Sequence, residues 1–380
     1  MIHYQPELPH IIFLFSDTGG GHRSAAEAII EAVNLEFPDQ IHMEMVDIFK
    51  EYAPPPLNRA PEIYPPLSRM PSVWQFGYRA SDGHRRAKAI NDAWWPYVSR
   101  SIWRLVNENP CDLFVSVHPL VNTPVLHALE HRSQPLITVV TDLVSTHAFW
   151  YDPRATKVVV PTAAARDRGL EMGVSPDQIE VVGLPVADRF CVPGGNKTEI
   201  RDKLGWMQDT PTVLLVGGGE GMGPLEQTAM AINEASLPIS LVIITGRNRR
   251  LKAKLERQTW NVPVYIYGFV RDMPDFMRAS DILVTKAGPG TICEAFIAGL
   301  PLILYSKMPG QEDGNVSYVL DENAGVWAPS PNKVVRTIKD WLENPKKRQQ
   351  ISDTCLHLAR PEASRQIARI LAAGVGIHKK

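Results

Sequence analysis

Residues 10–29 read HIIFLFSDTGGGHRSAAEAI, an apolar run followed by a glycine-rich turn and an alanine-rich helical pattern. This order predicts a buried strand, a turn whose backbone can approach a ligand closely, and a helix. Residues 212–233, TVLLVGGGEGMGPLEQTAMAIN, have the same order in the second half of the chain. The two stretches therefore predict two domains that each begin with a Rossmann-like strand, turn and helix.

Short apolar runs alternate with longer helical patterns along all 380 residues. The runs lie at residues 10–15, 42–48, 112–117, 135–141, 157–160 and 179–182, and then at 212–219, 240–246, 264–268, 281–288 and 301–305. This alternation predicts an α/β fold of doubly wound parallel sheets that are buried on both faces. A linker-like sequence, VPGGNKT (192–198), separates the halves. We predict domains at 1–192 and 193–380 facing a central cleft, and we allow the terminal helices to cross back to the first domain.

The composition excludes several classes of protein. The chain has 40 basic and 41 acidic residues, a net charge of -1, which argues against a surface built to bind nucleic acid. Its four cysteines are far apart in sequence, so neither a zinc ribbon nor a disulfide framework is predicted. The sequence MIHYQPELPH does not resemble a signal peptide, and no apolar run is long enough for a membrane span. We therefore expect a cytoplasmic protein with reduced thiols.

The glycine-rich turns do not have the spacing of the common nucleotide motifs. Ser24 and Met222 stand where the GxGxxG dinucleotide fingerprint has its last glycine, and the first turn lacks the GK[ST] ending of a P-loop. The turns nevertheless precede predicted helices, whose free N-terminal amides bind anions such as a diphosphate. The alternative is that glycine serves only to make a tight turn.

His22 is a candidate general base. It lies in the first turn of a predicted helix, where the positive end of the helix dipole lowers the pKa of an imidazole. A neutral imidazole can accept a proton from a substrate hydroxyl near pH 7. The alternative is that His22 is only a polar residue at the start of a helix.

Two further segments offer groups that suit a nucleotide sugar. In TKAGPGTICEAFIAGLP (285–301), Glu294 lies inside a predicted helix and suits the paired hydroxyls of a ribose. In PGQEDGN (309–315), Gln311, Glu312 and Asn315 offer donors and acceptors to sugar hydroxyls. Polar, glycine-rich loops are also common without any ligand.

Five segments, spread in order over nearly the whole chain, carry a resemblance to a known family. They are SDTGGGHRSAAEAI (16–29), TDLVSTHAFW (141–150), VGGGEGMGP (216–224), GFVRDMPDFMRASDILVTKAGPGTICEA (268–295) and GLPLILYSKMPGQEDGN (299–315). Together they closely resemble the monogalactosyldiacylglycerol synthase family and the related bacterial diacylglycerol glucosyltransferases. The resemblance implies a GT-B glycosyltransferase that inverts the sugar linkage and needs no metal cofactor, and the chain indeed has no DxD pair of metal ligands.

The resemblance also implies where the substrates bind. A UDP-sugar would bind the C-terminal domain, and diacylglycerol would reach the cleft from the N-terminal domain. Helix-end amides and a cation, Arg247 or Lys286, would stabilise the departing UDP. The implied donor-binding residues are Gly217, Gly218, Gly219, Gly221, Gly246, Arg247, Phe269, Val270, Lys286, Gly288, Gly290, Thr291, Glu294, Gln311, Glu312 and Asn315.

On the acceptor side, the resemblance implies that His22 is the catalytic base and that Asp142 is a second catalytic residue. Gly20, Gly21 and His147 would line the acceptor side of the site. A core or capping role for Asp142 or for His147 remains open.

Residues 57–104 form a basic and aromatic segment. They contain eight basic and three acidic residues, a net charge of +5, and four of the nine tryptophans of the chain. Cations attract anionic headgroups, and aromatic rings suit the membrane interface. The predicted docking residues are Trp74, Arg79, Arg85, Arg86, Lys88, Trp94 and Trp95. The alternative is that Trp94, Trp95 and Trp103 are core residues of a long helix.

We therefore expect a hexosyltransferase that transfers galactose from a UDP-sugar to diacylglycerol and forms a β-linked glycolipid. We expect it at the inner face of the cell membrane, with an anionic membrane surface as a partner and without nucleic acid. Glucose in place of galactose stays open, and processive addition of sugars also stays open. More distant alternatives are a peptidoglycan-type UDP-GlcNAc transferase and a sugar-nucleotide epimerase.

Overall fold

The computed structural model describes residues 8–17, 20–60, 62, 70–219, 221 and 223–378. The chain forms two compact units: Met1–Asp188 with Pro309–Gln311 and Glu362–Lys380, and Arg189–Met308 with Glu312–Pro361. The division falls shortly before the predicted linker, and the terminal residues return to the first unit. Thr18 and Gly19 of the first glycine-rich turn, Glu220 and Met222 of the second, and Arg69 of the basic segment lie outside the described ranges.

The strands of the first unit are β1 (His10–Phe15), β2 (His42–Asp47), β3 (Leu113–Ser116), β4 (Leu136–Val139), β5 (Lys157–Val160) and β6 (Ile179–Val181). They form a parallel sheet in the order β2-β1-β3-β4-β5-β6. Strand β1 is second in this order because β2 pairs with one of its edges. The chain then crosses to the other edge of β1, where β3 and the following strands are added. The predicted doubly wound parallel sheet is thus confirmed for this unit.

The strands of the second unit are β7 (Thr212–Val216), β8 (Ser240–Ile244), β9 (Val264–Tyr267), β10 (Ile282–Lys286), β11 (Leu302–Ser306) and β12 (Gly325–Trp327). They also form a parallel sheet, in the order β12-β11-β10-β7-β8-β9. The apolar runs of the sequence predicted the first five of these strands but not β12. This edge strand has three residues, too few for a recognisable apolar run.

In chain order, the helices within the described ranges are α1 (Gly20–Glu36), α2 (Pro71–Ser81), α3 (His84–Glu108), α4 (Asn122–Leu129), α5 (Ala163–Glu171), α6 (Asp188–Cys191), α7 (Lys197–Leu204), α8 (Leu225–Glu234), α9 (Arg249–Leu255), α10 (Met273–Ala279), α11 (Pro289–Ile297), α12 (Asp313–Asp321), α13 (Pro331–Glu343), α14 (Pro345–Leu358) and α15 (Ala363–Gly374). None of these helices is both long enough and apolar enough to cross a bilayer.

Local sequence signals account for the limits of α7. Asn196 accepts a hydrogen bond from the Glu199 amide, and the Glu199 side chain accepts one from the Asn196 amide. This reciprocal capping satisfies amides that the helix itself leaves unpaired. Gly205 ends the helix with a φ of 69°, a conformation in which glycine meets no steric cost. Helix α7 therefore begins within the predicted linker, whereas the second unit begins before it, at Arg189.

The core of the first unit lies on both faces of its sheet because successive strand residues point to opposite sides. Ile12 and Leu14 of β1 belong to the cluster on one face, whereas Ile11 and Phe13 belong to the cluster on the other. Helices α1 and α15 contribute apolar residues to the second of these clusters. A strand that is buried on both faces reads as a continuous apolar run, which is why β1 could be recognised from sequence.

An ion-pair network attaches the terminal helix α15 to the first unit. Glu36, at the end of α1, has a buried side chain that accepts hydrogen bonds from Arg369 at 2.8 Å and from Arg365 at 3.5 Å. Arg365 also donates to Asp188 at 2.8 Å. The two arginines compensate a carboxylate that would otherwise be costly to bury. The return of α15 to the first unit therefore depends on charge pairing as well as on apolar packing.

Candidate active site

The first unit brings candidate catalytic residues together at the carboxyl ends of its strands. The loop after β1 leads to His22, the loop after β3 holds His118, and the loop after β4 holds Thr141 and Asp142. In parallel sheets these loops lie along one edge, which is where ligands bind. The order of the strands makes β1, β3 and β4 neighbours, so these loops are adjacent.

His22 is held in place by contacts from these adjacent loops. Its Nδ1 lies 3.0 Å from the hydroxyl of Thr141, and its ring centroid lies 4.6 Å from that of His118. The ring of Trp150 lies at 6.0 Å on another side. Part of the His22 side chain remains exposed. The imidazole is therefore oriented by its neighbours and still accessible to a substrate.

The surroundings keep His22 neutral. Burial lowers the pKa of His22 to about 4, and a hydrogen bond with the Val117 backbone opposes this effect only in part. The helix dipole was the predicted cause of the lowered pKa of His22, whereas burial is the main cause in the structure. A neutral imidazole carries a lone pair that can accept a proton at pH 7 without prior deprotonation.

His118 is a second imidazole that the sequence analysis missed. It is 3% exposed, and its Nδ1 accepts a hydrogen bond from the Leu120 amide at 3.3 Å. Burial holds its pKa well below the ordinary value, and the charge that His22 would carry lowers it further. Its only signal in the sequence is that it directly follows the apolar run at 112–117. Residues of the loop after β4 follow an apolar run in the same way. His118 therefore packs beside His22 as a neutral neighbour.

Asp142 is a buried carboxylate with two hydrogen-bond donors. Its Oδ2 accepts from the Trp150 indole at 2.7 Å, and its Oδ1 accepts from the Gln311 amide at 3.1 Å. The first of these bonds fixes the indole that lies beside His22. They give Asp142 a positioning contact with Trp150, and its catalytic role stays a prediction. Gln311, which was predicted to bind the donor, belongs to the first unit by its contacts.

His147 caps the short turn Ala148–Trp150. Its Nδ1 accepts from the Phe149 amide at 3.1 Å, and its Nε2 lies 3.1 Å from the Ser81 hydroxyl. Burial lowers the pKa of His147, and the carboxylate of Asp82 opposes this shift only in part. The capping role that the sequence analysis left open is the one these contacts describe, and a role on the acceptor side stays a prediction.

The end of α2 is fastened to the same loop. The Tyr78 hydroxyl donates to the Ser145 carbonyl at 2.7 Å, and Asp82 accepts from the Ala148 amide at 2.9 Å. Arg168 also donates to Asp82 at 3.1 Å. Burial raises the pKa of Asp82, but the Ala148 amide and the positive charges nearby outweigh it and lower the pKa overall. Helix α2 is therefore coupled directly to the loop that carries Thr141 and Asp142.

In the second unit, the glycine-rich turn after β7 lies against the turn after β8. A Cβ on Gly246 would lie 2.3 Å from the Gly219 carbonyl oxygen, and one on Gly221 would lie 2.5 Å from the Thr245 oxygen. Both glycines have a φ of 60°. The Arg247 amide donates to the Gly219 carbonyl at 2.8 Å. The glycines therefore permit close contact between the backbones of the two turns, a stronger requirement than a tight turn alone.

Lys286, at the end of β10, lies among the predicted donor turns. Its Nζ lies 2.5 Å from Glu312 Oε1. A Cβ atom added at Gly288 would lie 3.2 Å from the same Nζ. The Cε of Lys286 would be 3.5 Å from a Cβ on Gly218. Glu312 Oε2 accepts from the Met308 amide at 2.7 Å. The structure thus pairs two residues that were predicted separately, one for the phosphates and one for the sugar.

Asn315, which was predicted to bind the sugar, is buried and makes a contact within the protein. It is 1% exposed, and its Nδ2 donates to the Ala287 carbonyl at 2.9 Å. This bond fastens α12 to the turn that precedes α11, where Gly288, Gly290 and Thr291 lie. A Cβ on Gly290 would meet nothing within 4 Å, so that position faces open space.

Glu294 lies within α11 in desolvated surroundings. Burial raises its pKa to about 7, and the positive charge of Arg189 lowers it only in part. A carboxylate with this pKa exists in both protonation states near neutral pH. Because the ionised form accepts hydrogen bonds from two hydroxyls, the environment of Glu294 suits a pH-sensitive contact with a diol.

Arg247 and Phe269 form an exposed pair near the turn after β8. The guanidinium carbon of Arg247 lies 5.1 Å from the Phe269 ring centroid, within cation–π range. The Phe269 side chain is 58% exposed. Val270, the next residue, is half-buried. An exposed aromatic ring held by a cation can stack on a flat ligand, and the roles of these residues in donor binding stay predictions.

The basic segment contains both exposed and core-packed residues. Arg79, Arg85, Arg86, Lys88 and Trp94 are exposed. Trp95 instead packs against the core of the first unit, and its ring lies 4.1 Å from that of His127. Trp74 is half-buried. The core alternative therefore applies to Trp95, whereas Trp94 and Trp103 are exposed.

Helix α2 carries an exposed apolar face that the sequence analysis missed. Val73 and Phe76 lie three residues apart and are 49% and 77% exposed, and Met70 precedes them at the same spacing. Residues three apart lie on one face of a helix. The spacing was visible in the sequence, but the exposure could be known only from the packing.

The fold and the sites define a class of protein. MurG of Acinetobacter baumannii has a TM-score of 0.64 at 16% identity, over 96% of this chain and 99% of its own. A putative UDP-N-acetylglucosamine 2-epimerase of Listeria monocytogenes also has 0.64 at 16% identity, over 98% of each chain. Residues 212–367 match the profile of the glycosyltransferase family 28 C-terminal domain. The class is therefore that of GT-B glycosyltransferases, as predicted.

The chain belongs to the monogalactosyldiacylglycerol synthase family. Residues 22–186 match the profile described as monogalactosyldiacylglycerol (MGDG) synthase. The probable monogalactosyldiacylglycerol synthase 2, chloroplastic, of Oryza sativa subsp. indica is 39% identical over 93% of this chain and 78% of its own length. The monogalactosyldiacylglycerol synthase 1, chloroplastic, of Arabidopsis thaliana is 38% identical over 93% of this chain and 68% of its own. The resemblance inferred from sequence is thus confirmed.

These relatives correct the predicted location. We predicted a cytoplasmic enzyme at the inner face of the cell membrane, and that prediction is wrong. The names of the rice and Arabidopsis relatives place those proteins in the chloroplast. The error arose because location was inferred from an unremarkable N-terminal sequence and from a general expectation about lipid-modifying enzymes.

Proposed function

We propose that this protein transfers galactose from UDP-galactose to the free hydroxyl of diacylglycerol and forms a β-linked monogalactosyldiacylglycerol. The observation that carries the proposal is the relationship to monogalactosyldiacylglycerol synthases at 38 to 39% identity over 93% of the chain. The neutral His22 in the first unit and the glycine-rich turns of the second support it. By the same relationship, we propose that the protein acts in the chloroplast, which fractionation of plant cells expressing a tagged chain would test.

In the proposed reaction, the hydroxyl oxygen of diacylglycerol attacks the anomeric carbon of galactose from the side opposite the phosphate. The bond from that carbon to the phosphate oxygen breaks, and its electron pair leaves with UDP. The hydroxyl proton passes to the imidazole of His22, which is neutral because burial lowers its pKa to about 4. A single displacement of this kind inverts an α-linked donor and gives a β-glycoside.

The proposal assigns the donor to the second unit. Gly217, Gly218, Gly219 and Gly221 and the amides at the start of α11 would face the diphosphate, and Glu294 would accept hydrogen bonds from the ribose. Lys286 would supply positive charge to the departing UDP. We propose that no metal takes part in the transfer, and turnover that survives treatment with EDTA would support this.

An assay with a panel of donors tests the proposed function. The purified chain is incubated with diacylglycerol vesicles and, separately, with UDP-galactose, UDP-glucose or UDP-N-acetylglucosamine. We expect a monogalactosyl lipid whose anomeric proton, measured by NMR, has the large coupling constant of a β-linkage. A glucosyl product would replace the donor assignment, and an α-linked product would contradict the inverting mechanism.

Glu294 should make donor binding depend on pH. With a pKa of about 7, Glu294 is mostly ionised at pH 8 and mostly protonated at pH 6. The contribution of its ionised form to UDP affinity should therefore fall by about tenfold between these values. Calorimetry of wild type and of Glu294→Gln at both pH values measures this, because the difference between them removes the titration of UDP itself.

The matched control for this experiment is Glu322→Gln, since Glu322 is an exposed acid of the second unit. It should retain the wild-type affinity and pH dependence. If Glu294→Gln bound UDP with the same pH dependence as wild type, the ribose contact would have to be assigned elsewhere.

We further propose that α2 and the start of α3 dock the protein on an anionic membrane. The apolar face of α2 is exposed, and Arg79, Arg85 and Arg86 are exposed beside it. Each cation near an anionic leaflet contributes about 1 kcal/mol, and apolar side chains add insertion into the interface. Because Tyr78 and Asp82 fasten α2 to the loop that carries Thr141 and Asp142, docking would occur next to the proposed base.

Two variants should separate the cationic and apolar contributions to docking. Replacing Arg79, Arg85, Arg86 and Lys88 by Ser is expected to weaken binding to vesicles rich in anionic lipid by at least about tenfold and to remove its salt dependence. Replacing Val73 and Phe76 by Ser should weaken binding at every salt concentration. Co-sedimentation with vesicles of graded anionic content measures both effects.

The charge-matched control replaces the exposed Lys333, Lys339, Lys346 and Lys347 of the second unit by Ser. It removes the same charge and should bind vesicles like wild type. Equal losses in the control and the docking variant would mean that net charge, not this surface, governs binding. UDP affinity should be unchanged in all of these variants.

A further inference from the structure

We propose that His10, His42 and Glu44 form a zinc-binding site at the start of the sheet of the first unit. His10 and His42 are partners in the register of β1 and β2, and Glu44 lies two residues after His42. Alternate residues of a strand point to the same side, so the three side chains share one face of the sheet edge. Among the described residues, they are the group of histidines and carboxylates whose ligand atoms could hold a metal ion.

The distances suit a small metal ion. His42 Nε2 lies 3.1 Å from Glu44 Oε1, and His10 Nε2 lies 3.8 Å from Glu44 Oε2. One ligand atom from each residue lies within 4.8 Å of the others. Tetrahedral zinc with bonds of about 2.0 to 2.2 Å places its ligand atoms roughly 3.4 Å apart. Small side-chain rotations would therefore bring the three atoms around one ion.

His10 is arranged as metal-ligating histidines usually are. Its Nδ1 lies 3.1 Å from the carbonyl oxygen of Pro110, which places the ring proton on Nδ1 and leaves a lone pair on Nε2. Its backbone amide donates to Asp112 at 2.8 Å. A histidine that binds a metal typically donates its other ring N–H to a carbonyl or carboxylate, which fixes the tautomer and the ring orientation.

The lone pair of His10 Nε2 is otherwise unused. This atom is buried and has no hydrogen-bond partner within the described residues. It points toward Glu44, at a distance too long for a hydrogen bond. A buried polar atom without a partner is costly, and a bound cation would satisfy it. The remaining ligands, His42 and Glu44, are exposed and leave room for water as a fourth ligand.

The chemistry of the three ligands favours zinc. Two imidazoles and one carboxylate are a borderline set of nitrogen and oxygen donors, which suits zinc better than magnesium or calcium, since those ions prefer oxygen alone. The site lies at the start of β1, whereas His22 follows the other end of this six-residue strand, which is about 20 Å long at 3.3 Å per residue. The ion would therefore join β1 to the edge strand β2 and would not act on the substrate.

Zinc titration of the purified full-length chain tests the proposal. After removal of metal with a chelator, calorimetry should detect one Zn²⁺ ion that the variants His42→Ala and Glu44→Gln bind at least about tenfold more weakly. The matched control is His84→Ala, an exposed histidine of the same unit, which should bind like wild type. Both ligand variants change exposed side chains, so their circular dichroism should match that of wild type.

Thermal unfolding gives a second measurement that is independent of activity. An ion that binds only the folded chain raises its melting temperature, so Zn²⁺ should raise that of wild type and of His84→Ala. It should not raise that of His42→Ala. The absence of a wild-type site, or equal Zn²⁺ affinity in wild type and His42→Ala, would overturn the proposal.

Discussion

Replacing His22 by Gln is expected to lower kcat by about 10²- to 10⁴-fold, the usual contribution of a general base. Glutamine keeps a polar side chain of similar size beside Thr141 and His118 but cannot accept the proton of the acceptor hydroxyl. Since His22 belongs to the first unit, whereas Lys286 and Glu294 of the proposed donor site belong to the second, the Kd for UDP should not change. Initial rates with UDP-galactose and diacylglycerol vesicles, together with calorimetry of UDP, measure the two effects separately.

The control for this variant is His131→Gln, which changes an exposed histidine of the same unit. It should retain wild-type turnover. Wild-type turnover in His22→Gln would return His22 to the status of a polar residue at a helix start and would direct attention to Asp142. A parallel loss of turnover and UDP affinity would indicate a folding defect and not a catalytic one.

Stability as a function of pH provides a further test of the environment of His22. Its pKa is about 4 in the folded chain, below the usual value near 6.5 in an unfolded chain. The unfolded state therefore binds more protons between these values, and the stability that neutral His22 provides is lost as the pH falls from about 6.5 toward 4. The free energy of unfolding of His22→Gln should fall less steeply than that of wild type over this range.

Replacing Lys286 by Met should have the second largest effect. We expect kcat to fall by about 10²- to 10³-fold, because this is the typical loss when one group that stabilises developing negative charge is removed. The affinity for UDP should fall as well, since UDP already carries the diphosphate charge. Turnover assays and calorimetry measure both changes, and Arg247→Met provides a comparison with the other candidate cation.

A second variant separates the charge effect from misfolding. Lys286→Met leaves the buried carboxylate of Glu312 without its partner, which destabilises the turn. The double variant Lys286→Met with Glu312→Gln removes this unpaired charge and should regain stability without regaining turnover. If Lys286→Met kept full turnover while Arg247→Met lost it, Arg247 would be the cation that stabilises UDP.

The strands could be predicted because their signal is local. Strands such as β1, β7 and β10 are apolar and buried along nearly their whole length, so each can be recognised from its own residues. Strand β12 was not predicted because its three residues are too few to form a recognisable apolar run. The exposed face of α2 shows the same limit, since Val73 and Phe76 have the spacing of a buried face and yet are exposed.

The sequence by itself determined the two parallel-sheet units, the glycine turns and the position of His22 at the start of a helix. Each of these follows from residues close together in the chain. The tertiary structure alone decided the partners of these residues. Thr141, 119 residues from His22, is its hydrogen-bond partner, and Glu312 pairs with Lys286 across 26 residues.

The physical reason is the order of strands in a parallel sheet. Strands adjacent in space are separated in sequence by crossovers, so the loops that meet at one edge come from distant segments. The order β1-β3-β4 brings His118 and Thr141 to His22, and the register of β1 with β2 brings His42 to His10. Residue types and local spacing do not contain that order, and burial, which sets the pKa of His22, arises only when the chain has folded.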